Sequence, residues 1–346
     1  CQPSQPRPTG KDDSIAARNF TIVADDSAGF VAYHKRNCTA VSCPQMQFIS
    51  LANKRSSRGP VALATFPGSG NTWMRHLLER LTGFYTCSVY CDKRLKSSFR
   101  HECLLLPSAS QRSKPLAAVC DAARRCLVVK THYPALPMRI SIETEGFSKA
   151  VVVLRDPRKA VMSWKNFLVT KSHINGIHNS THYWNNTNFY ESSANLCMKW
   201  SNFHRYWAEE YTGPVLWIIY EDIMSSRAHV YERLLDFLDI EESFLVNDGS
   251  RLKSSSAFFD CVECHLEGEH HRHHSPNSYS LSKDMNALKY LDKTGCLDYH
   301  TSLLSHIKNI TTAKSTLGAS RQQKMGVCPR TDEQRWSRYK KRKSIN

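Results

Sequence analysis

The chain has 346 residues, 41% of them hydrophobic, and carries a formal net charge of +16 from 47 Lys and Arg against 31 Asp and Glu. That length holds one large α/β domain or two small ones, and no apolar run reaches the ~20 residues that cross a bilayer as a helix. No zinc-finger pair, RNP motif or basic-helix pattern turns the positive field toward nucleic acid, so anionic glycans and phosphorylated donors are the polyanions it suits.

Residues 1–59 are polar and rich in Ser, Pro, Lys and Arg, and read as an N-terminal arm stapled between Cys38 and Cys43. The chain opens on Cys1, so it reads as a fragment or a mature form, and any membrane contact is expected only through a segment absent from this chain. The main domain is expected over 60–310. Its first strand, Val61 to Phe66, runs into Pro67-Gly68-Ser69-Gly70-Asn71-Thr72-Trp73, and a helix follows from about Thr72 to Leu81, stopped by Gly83. Residues 84–125 look irregular and hold four cysteines. A second strand, Leu127 to Lys130, ends in Thr131-His132-Tyr133-Pro134. The third, Ala150 to Leu154, is wholly apolar, as a central parallel strand would be. It ends in Arg155-Asp156-Pro157-Arg158 and a helix to about Phe167.

Residues 171–193, rich in Asn, His, Ser and Thr, are expected to form an exposed loop. Leu196, Trp200, Phe203, Trp207 and Tyr211 then make one helical apolar stripe, read as packing on the sheet. Val215 to Tyr220 is the fourth strand, and an amphipathic helix spans Arg227 to Leu238. A basic tail occupies 311–346. Strands alternating with helices predict a P-loop-like three-layer α/β sandwich with a central parallel sheet and helices on both faces. All three polar strand ends then fall at the carboxyl edge, where such sheets bind ligands.

The chemistry is carried by those strand ends. The first loop lacks the Walker A spacing and its lysine. Gly68, Ser69, Gly70, Asn71 and Thr72 nevertheless expose amide N–H groups at a helix N-terminus, which favours an anion. A plain strand–helix turn capped by Thr72 or Asn71 fits the same residues. Arg155 and Ser163, eight residues apart across a strand end and the second turn of a helix, offer a bidentate cation and a hydroxyl to one site. Lys130 and His132 bring a cation and a base whose ordinary pKa, ~6.5, suits proton removal from a hydroxyl.

In this order, F-P-G-S-G-N-T-W, K-T-H-Y-P, R-D-P-R-x-x-x-x-S and I-Y-E-D resemble the sulfotransferases that use 3′-phosphoadenosine 5′-phosphosulfate (PAPS), over roughly residues 60–240. Gly68, the Arg-His after Met74 and the Gly-Phe-Tyr-Thr after the helix look most like the sulfotransferase domain of the WSC-domain-containing family. No WSC module is evident in residues 1–59. The resemblance implies PAPS as donor and no required metal. It gives the 5′-phosphosulfate to residues 68–73, including Trp73, and the 3′-phosphate to Arg155 and Ser163. It sets Tyr220 against the adenine, with Arg272 as a further donor contact, and makes His132 the base beside Lys130. It also implies a glycan or glycoprotein acceptor, with sialic acid as the acceptor sugar, in the Golgi lumen. The cytosolic branch has a lysine where this chain has Gly68, and Lys130 or Arg75 is left to replace it.

Thirteen cysteines and N-x-S/T sequons at Asn19, Asn37, Asn179, Asn185 and Asn309 favour the secretory pathway. Short staples are expected within Cys87/Cys91/Cys103 and Cys120/Cys126. The run Cys261-x-x-Cys264-His265 before His270 to His274 has zinc-like spacing but is read as disulfides and a surface loop. Two rival functions stay open. One is a Golgi sulfotransferase for another glycan or a protein tyrosine. The other is an inactive module that binds anionic glycans, against which the intact Lys130-Thr131-His132 stands.

Overall fold

A computed structural model describes residues 59–103, 105, 122–136, 146–172, 187–225, 227–240, 243–245, 251–253, 262, 266 and 285–314. The expectations for the arm and for Cys38, Cys43, Cys120, Cys261, Cys264 and Arg272 lie outside these residues, as does nearly all of the basic tail.

A five-stranded sheet organises the described chain. Its strands are β1 (Val61–Thr65), β2 (Cys87–Ser88), β3 (Val129–Thr131), β4 (Lys149–Leu154) and β5 (Val215–Ile219), in spatial order β2-β3-β1-β4-β5. Every pairing is parallel. Parallel neighbours need crossovers, and those crossovers cover both faces with helices. The helices are α1 (Asn71–Thr82), α2 (Pro157–Thr170), α3 (Thr187–Arg205), α4 (Tyr220–Ser225), α5 (Arg227–Phe237), α6 (Met285–Asp292) and α7 (Cys296–Lys314). A separate antiparallel pair, β6 (Ser243–Leu245) and β7 (Arg251–Lys253), follows α5.

The strands divide their side chains between two cores by the period-two rule. Leu63, Val151, Val153, Leu216 and Ile218 pack with Met74, Leu77 and Leu81 of α1 and Tyr231, Leu234 and Leu235 of α5. Ala62, Ala64, Val152 and Leu154 pack with Val161 and Trp164 of α2 and Trp200 and Phe203 of α3. Small alanines on β1 admit these bulky aromatics close to the strand. The expected stripe is real: Trp200, Phe203 and Trp207 are almost fully buried.

Two differences from the sequence reading concern this layer. Helix α3 starts inside the expected loop, with Phe189 and Tyr190 already buried. They extend the apolar stripe by two turns, which the polar residues around them obscure. A five-residue π turn, Tyr206–Glu210, then ends the helix. The cysteines differ in part. Cys91 bonds Cys103, a short staple within the expected cluster, but Cys87 bonds Cys126, and Cys197 on α3 bonds Cys296 at the start of α7. Sequence spacing does not report pairs that the fold brings together over long separations.

Local signals set the helix ends. Gly83, at φ 68°, closes α1 with its N–H on the Glu79 carbonyl, the left-handed cap that glycine adopts without steric cost. Asp156 caps α2 by accepting the Arg158 N–H, and Pro157 takes the first turn, where no donor is needed.

Candidate active site

The β1–α1 loop is held by aromatic contacts and by two left-handed glycines. Phe66 meets Trp164 edge-on at 5.0 Å and Phe203 at 6.1 Å, so the loop starts from a fixed point. Gly68 has φ 85° and Gly70 φ 84°. A Cβ on Gly68 would lie 2.4 Å from the Ala160 carbonyl oxygen and 2.8 Å from the Trp164 nitrogen, so the loop runs directly along the α2 backbone. Gly70 is the N-cap of α1, with no side-chain capping bond. The first-turn amides from Asn71 to Trp73 thus point to the sheet edge without a side-chain acceptor at the cap, as an anion site requires.

Arg155 ends β4 and turns to this loop. Its Nη1 donates to the Gly68 carbonyl at 2.6 Å, and its guanidinium lies 4.5 Å from the centre of the Tyr220 ring. Asp156 is taken by Arg158, whose Nε donates to it at 2.9 Å, so it does not neutralise Arg155. Tyr220 follows β5, and its Cε2 would touch a Cβ on Gly70 at 2.4 Å. Ser163 lies beside Gly68, its Cβ 3.2 Å from the same hypothetical methyl. Loop, arginine, serine and tyrosine therefore form one cluster. Ser69 Oγ, Asn71 Oδ1 and Arg155 Nε are buried there with no hydrogen-bond partner among the described residues. Buried polar groups are ordinarily satisfied, so two acceptor-capable oxygens and a cationic N–H suit a ligand with both oxyanions and hydrogen-bond donors, as a nucleotide has.

The β1–β3 register explains the second cluster. Ala64 pairs with Thr131, which sets the next residues, Thr65 and His132, side by side. His132 Nδ1 lies 2.6 Å from the Thr65 carbonyl oxygen. A carbonyl only accepts, so Nδ1 carries the proton and Nε2 is the basic nitrogen of the neutral ring. Asn71 Nδ2 donates to Thr65 Oγ1 at 2.9 Å, tying the helix start to the strand end that orients the imidazole. The Tyr90 ring stacks on His132 at 5.4 Å, and its hydroxyl accepts the His132 N–H and donates to the Leu136 carbonyl, both at 3.2 Å.

Lys130 pairs with Leu63 and so shares the α1 face. It is 5% exposed, and burial pulls its pKa down to about 8, with the Glu102 carboxylate opposing that shift. Arg75 is fully buried and engaged elsewhere: it pairs with Glu102, donates to Thr86 and lies 3.7 Å over Phe99. Its charge is compensated inside the fold by Glu102. Glu79 accepts from the Thr86 N–H at 2.8 Å and the Thr86 hydroxyl at 2.6 Å, and burial raises its pKa.

The sheet thus brings Gly68, Ser69, Gly70, Asn71, Thr72, Arg155, Ser163 and Tyr220 to one edge, with His132 bonded to the end of β1 beside them. Trp73 is half-buried and packs on the α1-side core. Arg272 lies outside the described residues. Sequence reasoning missed Thr65 and Tyr90. Thr65 is legible only from strand register, and Tyr90 sits in a stretch with no periodic pattern.

The sequence matches the family model described as "Sulfotransferase domain" over residues 58–261, more than half of the chain. It is similar to WSCD family member CG9164 of Drosophila melanogaster, with 33% identity over 180 residues, 51% of this chain and 49% of that protein. WSCD family member AAEL009094 of Aedes aegypti is 32% identical over 201 residues, 57% of this chain and 55% of that one. Sulfotransferase 1A1 of Rattus norvegicus is 22% identical over 189 residues, 51% of this chain and 58% of that one. The chain spans about half the length of the curated relatives it matches. A solved structure of mouse sulfotransferase SULT7A1 complexed with PAP superposes at a TM-score of 0.41 with 15% identity, covering 76% of this chain and 93% of that one. That likeness is too remote to assign any residue.

Proposed function

We propose that this chain, which belongs to the sulfotransferase domain family, transfers a sulfuryl group from PAPS to a carbohydrate hydroxyl, with sialic acid on a glycan as the acceptor. The observation that carries the reading is a protonated Nδ1 on His132, fixed by the Thr65 carbonyl at 2.6 Å, on the strand that leads into the Gly68–Arg155 cluster. A base in a defined tautomer beside an anion-ready loop is what transfer to a hydroxyl needs.

When bound, the donor supplies an activated sulfuryl group on a phosphate. The first-turn amides from Asn71 to Trp73 and the Ser69 hydroxyl would hold its phosphosulfate end, with the Ser69 N–H kept in the turn by the Phe66 carbonyl. Arg155 and Ser163 would grip the 3′-phosphate, and Tyr220 would lie against the base. His132 takes the acceptor's hydroxyl proton at Nε2 as that oxygen bonds to sulfur and the bond from sulfur to the donor phosphate oxygen breaks. Lys130 stabilises charge on the sulfonate oxygens, the positioning and electrostatic work expected of a loose, in-line transfer. We place the domain at 60–310 and the protein in the Golgi lumen, as the luminal part of a single-pass membrane protein. Three disulfides among the described residues support an oxidising compartment.

Radiolabelled PAPS offered with sialylated, uronic-acid and neutral glycans and a tyrosine peptide tests the reading. Label should pass to the sialylated glycan and be lost on sialidase digestion. Calorimetry with PAP, the desulfated product, should show Arg155→Ala weakening binding by ~2–4 kcal/mol, the range for a partly buried charge-assisted contact. No label on any acceptor, with PAP bound normally, would favour the inactive-module rival.

A further inference from the structure

We infer that the disulfide-closed ring from Cys91 to Cys103 is the surface that selects an anionic acceptor and presents it to His132; this rests on the sulfotransferase reading above. The ring begins one residue after Tyr90, whose side chain stacks on the His132 imidazole at 5.4 Å. Its other anchor is Arg94, whose Nη1 donates to the Lys171 carbonyl at the end of α2 at 2.6 Å and whose guanidinium lies 4.8 Å over Phe167. Lys171 caps the far end of α2, eight residues beyond Ser163, so the ring runs from the neighbour of the base to the C-terminal end of the helix whose second turn flanks the loop.

The ring is also a fixed body. Leu95, Phe99 and Glu102 are buried beneath it, and the Glu102–Arg75 pair locks its end to α1. Both of its acids are consumed internally. Asp92 accepts from the Arg94 backbone and guanidinium, and Glu102 takes Arg75 and the Asp92 N–H. Lys93, Lys96 and Arg100 remain exposed, with no acidic partner among the described residues, and Arg100 also donates to the Tyr85 hydroxyl at 3.2 Å. An ordinary solvated face interleaves both signs on mobile side chains. Here uncompensated cations stand on a cross-linked platform, which lowers the ordering cost of gripping a charged partner. A glycan bearing carboxylates gains from them, and a neutral glycan does not. Steering of this kind acts on encounter and on KM, and salt screens it.

The test uses the full chain with labelled PAPS and compares sialyllactose with lactose as acceptors, for wild type and for Lys93→Ser/Lys96→Ser/Arg100→Ser. The variant should raise KM for sialyllactose about tenfold, the combined effect of three exposed cation contacts, with kcat and PAP affinity within about twofold of wild type, the scatter expected when no donor contact is lost. Added salt should raise the wild-type KM and leave the variant's nearly flat. An unchanged KM for sialyllactose, or an equal change for lactose, overturns the inference and leaves the donor reading standing. A variant that instead loses only transfer to an acidic tyrosine peptide overturns the choice of a glycan. A wild-type protein that binds no PAP removes the sulfotransferase reading itself, and this inference with it.

Discussion

Alanine at Gly68 tests whether the donor loop is clamped to α2, and Gly295 is its internal control. Both glycines are left-handed, with φ 85° and 65°. A side chain in that region costs ~1–2 kcal/mol at either site, and the entropic gain from removing a glycine in the unfolded chain is common to both. They differ in surroundings. A Cβ at Gly68 meets the Ala160 oxygen at 2.4 Å and the Trp164 nitrogen at 2.8 Å, whereas a Cβ at Gly295 meets nothing within 4 Å. Both contacts at Gly68 are helix backbone, which cannot rotate away, so overpacking adds ~1–3 kcal/mol. Gly68→Ala should therefore cost about 2–5 kcal/mol in urea unfolding and Gly295→Ala about 1–2 kcal/mol, each before the shared entropic gain. Because the Gly68 carbonyl accepts from Arg155 at 2.6 Å, a displaced loop also displaces the arginine. PAP affinity should fall at least ~10-fold in Gly68→Ala, the loss of about 1.4 kcal/mol, and stay unchanged in Gly295→Ala. Equal destabilisation at the two sites, or full PAP affinity in Gly68→Ala, would refute the clamp.

Lys130→Met should abolish transfer while stabilising the fold at neutral pH, by up to ~3 kcal/mol for a buried ammonium held at about 8 against an ordinary 10.5. A folded pKa below the unfolded one means that the burial cost is full below about pH 8 and fades as pH rises toward 10.5, so the variant's advantage in chemical unfolding should shrink across that window. In the wild type, PAPS affinity measured by calorimetry without acceptor should decline as pH passes about 8 and the ammonium is lost, and Lys130→Arg should remove the decline. Cys197→Ala/Cys296→Ala should lower stability by ~2–5 kcal/mol, since that bridge closes a long loop in the aromatic core; peptide mapping of protein from a secretory host should find the same pair linked.

Much of the fold was legible because its signals are local. The apolar run at Ala150–Leu154 marked a central strand, Gly83 and Asp156-Pro157 marked helix ends, and the 196–207 stripe marked a buried helix face. The strand-end motifs were legible because parallel topology alone sends them to one edge. What escaped depends on the third dimension. The two residues of β2 carry no periodicity, and α3 begins in a stretch whose composition is that of a loop. Cys197 and Cys296 are joined only by the packing of α3 on α7. Arg75 read as a spare cation near the loop, yet its helix turns it inward onto Glu102 and Phe99. Thr65 and Tyr90, which orient His132, carry no sequence motif, because one acts through a backbone carbonyl and the other through stacking.

The central claim is that His132 is the base and stands apart from the donor grip. The most direct measurement pairs turnover with PAP affinity in His132→Ala. The account predicts a rate loss of ~10²–10⁴-fold, typical for removal of a general base, with PAP binding close to wild type. Glu79 and Glu102 are committed to Thr86 and Arg75, so neither should take over. Near-normal turnover in His132→Ala, with activity lost instead in Glu79→Gln or Glu102→Gln variants that remain folded and bind PAP, would contradict it.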